Sequence, residues 1–100
     1  MEFGFFKGLP HGPICNENFS DYKKLKNSIS KDAVIKHISS LEAGLTSLPS
    51  IELFTGAKIQ AGVFDDGDFT FPYEFLHYYK NYDIGIPYEY EKYLKSIGIK

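Results

Sequence analysis

One hundred residues with 43% hydrophobic and 24% charged side chains fit one globular domain and exclude a disordered chain or a two-domain protein. No run approaches the roughly 20 apolar residues a bilayer span needs, and the opening MEFGFFKGLPHG lacks the apolar core and cleavage site of a secretory signal. All eleven basic residues are lysines, the net charge is −2 and the lone Cys15 cannot close an internal disulfide; these features predict a cytoplasmic protein and argue against a nucleic-acid reader, which relies on arginine forks.

Along the chain, residues 1–17 carry Gly4, Gly8, Pro10, Gly12 and Pro13, which predict an irregular arm pinned by Phe3, Phe5, Phe6 and Leu9. A first helix is expected from Asn18 or Ser20, burying Tyr22, Leu25 and Ile29 while Lys23, Lys24 and Lys26 face water. Asn27 and Ser28 weaken its end. Ser30 caps a second helix, with Asp32 in its first turn and Val34, Ile38, Leu41 and Leu45 as its apolar stripe; Gly44 and Pro49 stop it. From Ile51 to Phe64, apolar residues punctuated by Gly56 and Gly62 predict one or two short strands. The hairpin turn is expected at Thr55-Gly56 or Asp65-Asp66-Gly67-Asp68. Pro72 and Pro87 open third and fourth helices. The third presents Phe75, Tyr79 and Tyr82 on one face; the fourth presents Ile86, Tyr90, Tyr93, Leu94 and Ile97, with a Glu91–Lys95 pair outside and Gly98 as its stop. The expected fold is a single α+β domain over residues 1–100, predominantly α-helical with about four helices, and with a short β-hairpin or irregular β segment around residues 51–71.

Charge and aromatic rings are unevenly spread. Residues 1–50 hold six lysines against five acids, whereas residues 51–100 hold five against eight. Eleven of the 17 aromatic residues lie between Phe64 and Tyr93. Most of these rings belong in the core of so small a domain, but exposed tyrosine beside carboxylate is also the composition of a protein-binding face. Candidate contact residues are the acids Asp65, Asp66, Asp68, Glu74, Glu89 and Glu91. Tyr73, Tyr78 and Tyr88, which fall off the apolar stripes of their helices, are candidate exposed anchors. Such a face would meet a basic partner, steering its approach by charge.

Catalytic and ligand-binding alternatives draw less from the residues. His11 and Cys15 lie four apart in a Gly/Pro-rich segment and could form a hydrolase pair, but a lone cysteine and scattered histidines are common. One cysteine and three histidines do not make a paired zinc set. The Asp65–Asp68 turn lacks the ligand spacing and closing glutamate of a calcium loop, and no glycine pattern matches a phosphate loop. Neither enzymatic activity nor a metal, cofactor or small-molecule ligand is expected.

Several segments carry a resemblance. Gly8-Leu9-Pro10-His11-Gly12, Ser30-Lys31-Asp32-Ala33-Val34, Leu53-Phe54-Thr55-Gly56, Asp66-Gly67-Asp68-Phe69-Thr70-Phe71-Pro72 and Tyr82-Asp83-Ile84-Gly85-Ile86-Pro87, followed by Tyr90-Glu91-Lys92-Tyr93-Leu94, resemble small bacterial immunity proteins of contact-dependent growth inhibition systems, over about residues 6–97. The resemblance implies a protein that binds the C-terminal toxin domain delivered by a neighbouring cell, often a nuclease cutting tRNA, and neutralises it. It implies no contact with nucleic acid or membrane. The competing expectation is an acidic adaptor or regulatory module with a non-toxin host partner.

Overall fold

In the computed structural model, which describes residues 1–100, the chain forms ten short elements, the first of them within the N-terminal arm. A one-turn 3-10 segment at Gly12–Ile14 leads to α1 (Phe19–Tyr22) and α2 (Lys31–Ser39). Five strands follow: β1 (Ala43–Leu45), β2 (Ser50–Ile51), β3 (Lys58–Ile59), β4 (Gly62–Asp66) and β5 (Phe69–Pro72). The chain closes with α3 (Tyr73–Asn81) and α4 (Tyr88–Ser96). No helix is long and apolar enough to cross a membrane.

The expected predominantly helical domain is corrected to a mixed one, 34% helical and 19% strand. Two departures account for the difference. The first helix ends after one turn because the next residues bond elsewhere. The Ser28 and Ile29 N–H groups donate to the Glu91 carboxylate at 2.8 and 3.1 Å, and the Asn27 side chain binds the backbone of Ile86. Residues 23–29 are therefore held as loop by α4 rather than by their own helical ladder. The second helix stops at Ser39, six residues short of Leu45, and Ser40 folds its hydroxyl onto the His37 carbonyl. Ala43–Leu45 then pairs antiparallel with β4.

Strands β1, β4 and β5 form an antiparallel sheet in the order β1-β4-β5, and β2 and β3 form a separate two-stranded ribbon. The β4–β5 hairpin turns at Gly67-Asp68, with Asp66 opposite Phe69. Gly67 sits at φ +61° while Asp68 does not share a positive φ, the combination a II′ turn requires. The β2–β3 ribbon turns through Thr55-Gly56, with Gly56 at φ +75°. The arm covers the outer edge of β5: Phe3 N–H donates to the Thr70 carbonyl and Thr70 N–H to the Met1 carbonyl. Pro72 and Pro87 stand one position before the helices they open, as N-caps in extended backbone.

The core is aromatic. Phe3, Phe6, Phe64, Phe71, Phe75, Tyr78 and Tyr90 are fully buried, packed in stacked and edge-on pairs such as Phe3–Phe71 at 4.7 Å and Phe6–Tyr78 at 5.6 Å. The arm thus supplies part of the core it was expected only to be pinned against. Ile97, placed by its spacing on the stripe of the last helix, is instead 47% exposed, because α4 ends at Ser96.

Candidate functional site

The nine residues singled out from the sequence divide into an inside and an outside set. Asp66 is buried at the end of β4. Its Oδ2 accepts the Tyr90 hydroxyl at 2.7 Å and lies 2.8 Å from His37 Nε2, and its Oδ1 accepts the Tyr93 hydroxyl at 3.3 Å. Glu74, at the start of α3, is fully buried; it meets His11 Nε2 at 2.8 Å and accepts the Gly62 N–H at 3.2 Å. Glu91 is buried by the 27–29 loop it holds. Burial alone would raise its pKa, but the Asn27 amide, the Ile29 and Ser28 N–H groups and the Lys95 ammonium outweigh that and hold it down at about 2. Three expected contact acids are therefore internal fasteners. Tyr78, expected as an exposed anchor, is fully buried and accepts the Leu53 N–H at 2.9 Å. It belongs to the core because Phe6 of the arm, Phe19 of α1 and Phe54 in the turn between β2 and β3 pack against its ring. Tyr73 is half-buried, stacked on Phe64 at 5.2 Å.

Asp65, Asp68, Glu89 and Tyr88 are exposed. They are linked through the N-terminus. Thr70 bridges to Glu2 and donates its hydroxyl to Asp65, while the Met1 ammonium donates to the Asp68 carbonyl. Met1 also lines a hollow of about 250 Å³ together with Phe3, Glu17, Asp21, Tyr22, Leu25, Pro87, Tyr88 and Glu89. The arm, α1 and the first turn of α4 build this hollow. Its lining joins apolar and aromatic groups with three carboxylates, Glu17, Asp21 and Glu89, and with Met1, whose ammonium is engaged by the Asp68 carbonyl. Glu17 is positioned by the Phe5 N–H and the Tyr22 hydroxyl, at 3.2 and 2.9 Å. Burial, with Glu17 alongside, pushes the Tyr22 phenol well above its ordinary value, so it remains a neutral donor. Asp21 is exposed, with the Lys24 ammonium 3.8 Å away, and the Tyr88 hydroxyl accepts the Lys26 N–H at 3.3 Å.

Such a lining can take a lysine or arginine side chain, with its methylene stem against Leu25 and the Tyr88 ring and its charged head among the carboxylates. Sequence reasoning missed Glu17 and Asp21, which lie in the lysine-richer half. Their spacing of four around the start of α1 was the available signal, but only the fold brings them into one hollow with Glu89. Two other hollows differ in chemistry. One, of about 290 Å³ between β3 and α3, carries Lys80, His77 and Asn81; an open cleft of about 510 Å³ beside α2 carries Lys36, His37 and Lys100.

The remaining motifs resolve as structure. His11 points Nε2 at Glu74, and burial raises the Cys15 thiol despite a partial offset from the His11 backbone, so the two do not make a thiolate–base contact. The acids of the Asp65–Asp68 turn diverge, and no group of three or more His, Cys, Asp or Glu side chains is placed to hold a metal ion. No family model matches this chain, and comparison with curated proteins and with solved structures finds no similar protein.

Proposed function

We propose that the protein is a stoichiometric inhibitor acting as the immunity protein of a contact-dependent growth inhibition system in the cytoplasm. The partner is the cognate toxin's C-terminal domain, a nuclease of the RNase or tRNase class, and inhibition is by occlusion of its basic active-site cleft. The toxin class comes from the resemblance of the sequence motifs. The observation that carries the binding mode is the hollow that Glu17, Asp21 and Glu89 line together with Leu25, Tyr22 and Tyr88, with Met1 joining it to the exposed turn at Asp68. A cleft that grips RNA phosphates is rich in lysine and arginine, and this surface presents the complementary charge with an aromatic anchor beside it.

The test is growth rescue together with a binding titration. Co-expressed with the cognate toxin, the native chain restores growth, which an adaptor for another partner would not do. The double substitution Asp21→Lys and Glu89→Lys weakens toxin binding about tenfold or more and abolishes protection, with the far-ultraviolet spectrum unchanged. Undiminished affinity in that variant would sink the binding mode, and failure of the native chain to rescue would sink the function.

A further inference from the structure

The central sheet has two edges, and the chain treats them differently. Residues 1–3 cover the β5 edge. β1, at the other edge, hydrogen-bonds only to β4. Its register places Ala43 opposite Phe64, Gly44 opposite Val63 and Leu45 opposite Gly62, and the next pair is joined by Thr46 N–H to the Ala61 carbonyl at 3.0 Å. Antiparallel pairs alternate between bonded and non-bonded, so Gly44 bonds inward to Val63. The N–H and C=O groups of Ala43 and Leu45 then project from the open edge.

Natural sheets blunt such an edge by keeping it very short, or with lysine, proline, a bulge or a covering segment. Here β1 is short, three residues, and Pro49 comes only past its end, but residues 43–51 read AGLTSLPSI, with no charge at all, and no segment covers the edge. Leu45 lies on the same side of the sheet as buried Phe64, yet it is 59% exposed because no strand lies beyond it; Leu48, just past the strand, is 77% exposed.

We infer that β1 is a self-association edge, pairing antiparallel with β1 of a second copy about a two-fold axis through Gly44. A second copy is the occupant because the segment is complementary to itself. With Gly44 facing Gly44, Ala43 of each chain faces Leu45 of the other, and these are the residues whose backbone groups point outward. This register bonds all of those groups between the chains, and a shift of two residues in either direction strands some of them. No like charges meet, since Glu42 falls opposite Thr46. Each Leu45 gains the other chain's Ala43 as a same-face neighbour, and the two three-stranded sheets become one closed, isologous six-stranded sheet.

Sedimentation equilibrium on the full chain tests this. The expected result is a concentration-dependent rise to twice the monomer mass. Leu45→Pro removes only an outward N–H, so it is expected to abolish the rise while keeping cooperative urea unfolding. Gly44→Cys reports the register independently of that variant. A Cβ at Gly44 meets nothing closer than the Val63 carbonyl at 3.8 Å, and cysteines facing each other at a non-bonded antiparallel pair are within disulfide reach. In a Cys15→Ser background, mild oxidation is expected to convert Gly44→Cys to a covalent dimer and to leave Thr46→Cys monomeric. Monomeric mass at every concentration overturns the inference. So does a dimer that survives Leu45→Pro, or a Thr46→Cys chain that cross-links as readily as Gly44→Cys. An edge that gains hydrogen-exchange protection only on adding a different protein overturns it in that protein's favour.

Discussion

Asp66 and Asp68 are two residues apart in one turn and have opposite jobs. Asp66 accepts from Tyr90 and Tyr93 and meets His37, joining the sheet to α4 and α2; Asp68 faces water. Burial first, and then the hydrogen bond to Asp66, keeps the Tyr90 phenol far above its ordinary pKa. Asp66→Ala therefore leaves a buried hydroxyl and an imidazole without their acceptor, and is expected to cost about 3 kcal/mol. Asp68→Ala is expected to change stability by about 0.5 kcal/mol at most. Urea denaturation of the two variants checks the contrast. Part of this was legible: strand alternation puts Asp66 on the same side as Phe64, facing inward. Read as a turn, the four residues Asp65–Asp68 hid that period. The partners of Asp66 were not legible, since His37 and Tyr90 lie 29 and 24 residues away.

At the level of elements, side chains from α4 and the turn before it decide where earlier elements end. Glu91 caps the loop at residues 27–29, and its pKa of about 2 lies below its ordinary value of 4.5. The folded state thus holds this group ionised more strongly than the unfolded chain does. Its contribution is full above about pH 4.5 and is lost as pH falls toward about 2. Glu52, lowered against its burial by the Tyr82 hydroxyl and the Phe54 N–H, acts in the same direction. The melting temperature is expected to fall with acid across that window, and Glu91→Gln is expected to melt lower at pH 7 and to flatten the acid limb. Gly85 marks a second such junction. Its N–H donates to the Tyr22 carbonyl at 3.0 Å, and a Cβ there would stand 2.5 Å from the Leu25 carbonyl and from Asn27 Oδ1. Gly85→Ala is therefore expected to destabilise by about 1–3 kcal/mol, read by thermal denaturation. Helical spacing predicted Leu25 and Ile29 on a first helix because periodicity carries no record of a competing carboxylate 62 residues away.

Across the whole molecule, one group of acids comes from both halves of the chain: Glu17, Asp21 and Glu89 line one hollow with Met1, and the Met1 ammonium meets the Asp68 carbonyl. Other exposed acids, Asp32, Glu42 and Asp83, are not part of that lining, and Lys24 offsets Asp21. Carboxylates gathered at one hollow speed the approach of a basic partner, and salt screens that attraction. The association rate with the cognate toxin is expected to fall about tenfold between roughly 10 mM and 0.15 M salt. Stopped-flow measurements check this, and the Asp21→Lys, Glu89→Lys variant is expected to show a flatter dependence.

Composition and periodicity alone determined that the chain makes one aromatic-cored domain. They also marked the starts of three helices by Ser30, Pro72 and Pro87, and offered Thr55-Gly56 or Asp65–Asp68 for a hairpin turn, where the structure turns at both. These are local matters: caps, prolines and glycines act within a few residues of themselves. The tertiary structure decided the rest. It stopped α1 after one turn and made β1 from the expected end of a helix. It drew Asp66, Glu74, Glu91 and Tyr78 inside, and it brought Glu17 and Asp21 into one hollow with Glu89. Each of these depends on a hydrogen bond or a covering surface supplied from far along the chain, and a buried carboxylate and an exposed one are the same letter until that partner arrives.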